Sequence, residues 1–96
     1  MVAFECGYLV ATRGVSDMMQ KNFEFYQFVS HCIARHRKCD WGELCEEDKH
    51  INDDAVEGVD VRILSSYPCD GHPDWKVWII TEADRSYTTI LFPDEY

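Results

Sequence analysis

The amino-acid sequence predicts an α+β domain: an antiparallel sheet of three to four strands packed with one long and one short helix. Two patterns carry that prediction. Apolar residues recur at three- and four-residue steps from Met19 to His36, as on one face of a helix. From Val61 onward they alternate, as in strands. Short turn clusters separate these segments and no linker or repeat intervenes, so the 96 residues read as one domain spanning 1-96.

The elements follow in chain order. From Phe4 to Val10 the residues Phe4, Cys6, Tyr8 and Val10 alternate with Glu5, Gly7 and Leu9, which predicts an N-terminal strand added to a sheet edge. Thr12-Arg13-Gly14 breaks that pattern. Ser16 suits a helix N-cap and Asp17 suits the first turn, where the helix dipole favours an acid. The spacing of Met19, Phe23, Tyr26, Val29, Ile33 and His36 then predicts one amphipathic helix of roughly 20 residues. It ends in Arg35, Arg37 and Lys38, the sign expected at the negative end of the dipole.

Asp40-Trp41-Gly42 reads as a turn. A shorter surface helix is predicted from Glu43 or Glu46 to Glu57, with few apolar positions (Leu44, Ile51, Ala55, Val56) and Gly58 as its stop. The rest is a C-terminal meander of three strands. Val61, Ile63, Ser65 and Tyr67 alternate in the first. In the second, Trp75, Val77 and Ile79 alternate with Lys76, Trp78 and Ile80, so both faces are apolar, as in a central strand. Glu82 to Ser86 is a hairpin loop, and the last strand, Tyr87 to Phe92, stops at Pro93.

Charge narrows the function classes. Eighteen acids stand against nine Lys and Arg, a formal net charge of −9, which disfavours nucleic acid and anionic membranes as direct ligands. A basic protein surface remains compatible, including one whose groove holds nucleic acid. No stretch approaches the roughly 20 apolar residues that span a bilayer. Met1 to Val10 contains Glu5 and no basic leader, so a cytoplasmic protein with reduced cysteines is expected.

Half of the acids fall in one segment. Asp40, Glu43, Glu46, Glu47, Asp48, Asp53, Asp54, Glu57 and Asp60 are nine of the eighteen, with Lys49 the sole base among them. Helical spacing puts Glu43, Glu47, Asp54 and Glu57 near one face, although like charges so placed cost about 0.2–0.5 kcal/mol each. A solvated helix face is the plain reading. The functional reading is a partner-binding surface in which spaced carboxylates stand in for phosphates against a basic groove.

Metal binding is the second candidate. Cys69-Asp70-Gly71-His72 has the spacing of a zinc half-site, and Cys39 with Cys45, or His36 with Cys39, offers a looser second half. Zinc is therefore the one cofactor the sequence suggests, against a plain reading of reduced cysteines. No nucleophile elbow, P-loop, metalloprotease or dinucleotide motif occurs, and the chain is expected to be a binding protein rather than an enzyme. The Glu82–Ser86 loop reads as a charged hairpin end closed by local ion pairs. Trp41, Trp75 and Trp78 are core by default, with an interface anchor as the alternative.

Four blocks carry a resemblance: T-R-G-V at Thr12–Val15, D-W-G-E-L-x-E-E-D-K at Asp40–Lys49, N-D at Asn52-Asp53, and W-I-I-T-E-A-D-R-S-x-T-T-I-L-F-P-x-E-Y at Trp78–Tyr96. From Thr12 to the C-terminus the chain resembles a family of small acidic uncharacterised proteins carried on plasmids and conjugative elements of Gram-positive gut bacteria. By analogy with other small acidic proteins of mobile elements, the resemblance implies an anti-CRISPR or antirestriction-type inhibitor that acts as a nucleic-acid mimic. Two alternatives stand beside it: a regulatory protein-interaction module of the element, and a small zinc-binding or thiol enzyme.

Overall fold

The computed structural model describes residues 4–96. The leader reading of Met1 to Val10 therefore falls in part outside the described residues. Among them, the chain runs β1 (Tyr8–Ala11), α1 (Arg13–Lys21), α2 (Phe23–Arg37), α3 (Glu46–Val56), β2 (Ile63–Tyr67), β3 (Val77–Thr81) and β4 (Tyr87–Leu91). The four strands form one sheet in the order β1-β4-β3-β2. The α+β class and the C-terminal meander agree with the sequence prediction.

The sheet is mixed rather than purely antiparallel, because β1 pairs parallel to β4 while β2, β3 and β4 are antiparallel neighbours. Parallel pairing needs a long crossover, and everything from α1 to β3 lies between these two strands. The N-terminal strand is also shorter than expected, starting at Tyr8 instead of Phe4. Gly7 sits at φ +64°, which ends the alternation. A Cβ there would lie 2.2 Å from the Ser86 carbonyl oxygen, so the close approach to β4 requires glycine.

The long helix of the sequence reading is two helices. Asn22 is extended (φ −137°, ψ 107°), and its side-chain oxygen accepts the Phe25 N–H at 3.1 Å. An asparagine that caps a new helix competes with continuation of the old one. Thr12, not Ser16, stands at the N-cap position of α1. Trp75 likewise leaves the strand pattern, because Pro73 starts a 3-10 turn through Trp75 and β3 begins at Val77.

One face of the sheet carries the main core. Tyr67, Val77, Ile79 and Ile90 pack there against Val15 of α1 and Phe25, Val29 and Cys32 of α2. A smaller cluster of Trp41, Ala55 and Ile63 lies under α3. A buried polar chain crosses the same face of the sheet. The His36 ring nitrogens meet Ser65 Oγ at 2.5 Å and Thr81 Oγ1 at 2.8 Å. Thr81 Oγ1 meets Thr88 Oγ1 at 2.7 Å, and Thr88 donates to the Cys6 carbonyl at 2.7 Å.

Arg85 holds the β3–β4 hairpin to the helix above it. Its guanidinium donates to the carbonyls of Val61, Glu82 and Ala83 and to that of Ala55 in the last turn of α3. The expected ion pairs with Glu82 and Asp84 do not form among the described residues. Carbonyls at a helix end and in a hairpin loop keep acceptor capacity that a forked donor can fill. Arg85→Ala is expected to lower stability by about 2–3 kcal/mol, read as a lower urea midpoint at unchanged slope.

Candidate protein-binding site

The acidic segment is anchored before it is exposed. Trp41 is 4 % exposed, and its indole N–H donates to Asp53 Oδ1 at 3.0 Å. The Ser66 N–H of β2 donates to the Trp41 carbonyl at 3.1 Å, and the Glu43 N–H donates back to the Ser66 carbonyl at 2.7 Å. The Tyr67 hydroxyl donates to the Asp40 carbonyl at 2.6 Å. Trp41–Glu43 thus covers one end of the free edge of β2. Asn52 of α3 covers the middle, its amide accepting the Leu64 N–H at 3.1 Å and donating to the Leu64 carbonyl at 2.6 Å. A side-chain amide here takes the place of a neighbouring strand.

All nine carboxylates of the segment are exposed, but they do not form one surface. Asp40 accepts from the Arg35 guanidinium at 2.7 Å, and that contact, with the Gly42 N–H, holds its carboxyl below the usual range. Glu43 lies outside the helix, 3.5 Å from Lys76, because α3 starts only at Glu46. The expected common face of Glu43, Glu47, Asp54 and Glu57 is corrected accordingly. With Asn52 and Ala55 facing inward, helical periodicity turns Glu46, Glu47, His50, Asp54 and Glu57 outward. Asp53 faces Trp41, Asp48 lines a groove with Ile51 and Trp78, and Asp60 follows the helix.

Few of these charges are compensated. Among the described residues, ion pairs reach Asp40, Glu43 and, at 3.8 Å from Lys49, Glu46. Glu47, Asp48, Asp54, Glu57 and Asp60 have none. Among the described residues, the basic end of α2 pairs with the segment through Arg35 alone.

The metal candidates are not gathered. Among the described residues no group of three or more His, Cys, Asp and Glu side chains is placed to hold an ion. Cys39 packs against the cluster of Trp41, Ala55 and Ile63, whereas Cys45 is exposed at the N-cap of α3. His72 stacks on Trp75 with ring centroids 3.8 Å apart. His36 has both ring nitrogens engaged by hydroxyls. Burial raises the Cys39 and Cys69 thiols above their ordinary range, with a smaller push from Asp53 and Asp70 respectively.

A groove missed by the sequence reading opens beside α3. It has a volume of about 430 Å³ and is lined by Ile51, Leu64, Trp78, Ile80 and Tyr96, with Asp48, Asn52 and Arg62 at its polar positions. Leu64, Trp78 and Ile80 share the sheet face opposite the main core, as the β2–β3 register requires. Tyr96 meets Trp78 edge to face at 5.8 Å, and Arg62 donates to its hydroxyl at 2.9 Å. The signal was the doubly apolar strand Trp78–Ile80. Nothing in the sequence announced that Tyr96 folds back over it.

No protein-family model matches the chain, and no curated protein or solved structure matches it significantly. No helix among the described residues is long and apolar enough to cross a membrane.

Proposed function

We propose that the chain is an inhibitory binding protein whose acidic segment occupies a basic protein surface, acting as an anti-CRISPR protein that blocks nucleic-acid binding by a Cas protein. The observation that carries the reading is the outer face of α3. Glu47, Asp54 and Glu57 stand there exposed and without ion pairs among the described residues, on a helix whose inner side is fixed by Asn52 and Trp41. Asp54 and Glu57 stand three residues apart at the C-terminal end of α3, where they repel each other and the dipole disfavours them, so the fold itself gains nothing from these two charges. A rigid mount also reduces the entropy lost on binding. The resemblance to small acidic proteins of mobile elements points the same way, as does a net charge of −9. A plain solvated face is the competing account.

Capture from a host lysate at low salt tests the proposal. The wild type is expected to retain a nucleic-acid-handling protein, and the triple variant Glu47→Gln, Asp54→Asn, Glu57→Gln is expected to retain at most about a tenth as much. Capture of no such protein, or equal capture by the triple variant, overturns the reading.

A further inference from the structure

The apolar groove lies along the same helix as the unpaired carboxylates, and the two features complement each other. Leu64 and Ile80 form its floor, Trp78 and Tyr96 one wall, and Ile51, 51 % exposed, the opposite rim on α3. Its volume of about 430 Å³ admits one or two large side chains. Arg62 is the cation of the groove, but its guanidinium is turned onto Tyr96, with the hydroxyl bond of 2.9 Å and a distance of 5.9 Å to the ring centroid. It braces the aromatic wall. Asp48, on the α3 side, lines the groove with no ion pair among the described residues.

We infer that this groove seats an apolar side chain of a basic protein segment, whose neighbouring Lys or Arg meets Asp48 and the outer carboxylates of α3. Charge complementarity selects this occupant. A second copy of the chain would bring another −9, and nucleic acid would bring phosphates to a helix of carboxylates. An apolar anchor beside cationic neighbours satisfies both halves of the surface, and a buried aromatic contact is where interfaces concentrate their energy. The inference rests on the proposed binding of a basic partner and adds to it the apolar contact that fixes position.

Two short synthetic peptides of equal length and charge test it against the full chain: one alternates lysine with leucine and tryptophan, the other is lysine with glycine. Amide and indole resonances report the contact. The apolar peptide is expected to shift Ile51, Ile80 and the Trp78 indole and to bind about tenfold more tightly than the lysine-glycine peptide. The double variant Ile51→Ser, Tyr96→Ala changes two exposed side chains and is expected to remove that tenfold advantage while leaving the lysine-glycine affinity within about twofold. Equal affinity of the two peptides for the wild type, or an advantage undiminished in the double variant, overturns the groove while the acidic-face reading stands. Binding of neither peptide overturns both.

Discussion

Replacing His36 with alanine is expected to destabilise the protein by about 3–5 kcal/mol, a large share of the roughly 5–15 kcal/mol available to a small domain. The imidazole is fully buried, with Phe4 and Trp41 edge to face against it at 5.4 and 5.8 Å. Its hydrogen bonds have a fixed polarity. The Cys6 carbonyl can only accept, so Thr88 donates to it, and Thr81 must then donate to Thr88. Thr81 is left to accept from Nε2–H of His36, and Nδ1 accepts from Ser65. The network therefore selects one neutral tautomer, and truncation leaves a cavity and two hydroxyls with a lost partner.

The same network sets a pH dependence. Burial, aided by the charge of Arg37, pushes His36 from 6.5 down to about 3. Above pH 6.5 the residue is neutral in both folded and unfolded chains and contributes no slope. Between about 6.5 and 3 the unfolded chain takes up a proton that the folded chain refuses, so stability is lost as pH falls through that window. The contribution over that window is roughly 3–5 kcal/mol. Urea unfolding at neutral pH and at about pH 4.5 is expected to show the wild type losing part of its advantage over His36→Ala on acidification.

Gly42→Ala is expected to cost about 2–4 kcal/mol and to loosen the acidic segment as a unit. Gly42 has φ +74°, and a Cβ would stand 2.1 Å from the Ser66 carbonyl oxygen and 2.7 Å from Tyr67 Cδ1. The carbonyl belongs to β2 and cannot swing aside. Relief requires the turn to lift, which breaks the paired bonds between Trp41–Glu43 and Ser66 and draws Trp41 from its pocket. A red shift of tryptophan emission together with a lower urea midpoint is the expected signature. An unshifted spectrum would mean that the turn tolerates the methyl group.

Some of this was legible in the sequence and some was not, for physical reasons. The strand alternation read from Val61 to Tyr67 and from Trp75 to Ile80 follows from burying a sheet face, and it holds in the narrower strands Ile63–Tyr67 and Val77–Thr81. The break at Asn22 did not show in the apolar spacing, because Met19 and Phe23 keep a four-residue step across two helices. The parallel pairing of β1 depends on where the crossover delivers the chain, which local pattern does not encode. His36 took an apolar position in the helix reading, and its hydroxyl partners lie 29 and 45 residues away. The acids of the segment were evident as composition. Their division into paired, inward and outward groups came from the start of α3 at Glu46 and from Asn52 facing β2.

The salt dependence of binding to the captured partner tests the central claim most directly. If the unpaired carboxylates of α3 carry the association, affinity falls steeply as ionic strength rises from about 0.05 to 0.5 M, and the Glu47→Gln, Asp54→Asn, Glu57→Gln variant shows a shallower slope. An affinity that is flat with salt, or a slope equal in wild type and variant, would contradict it.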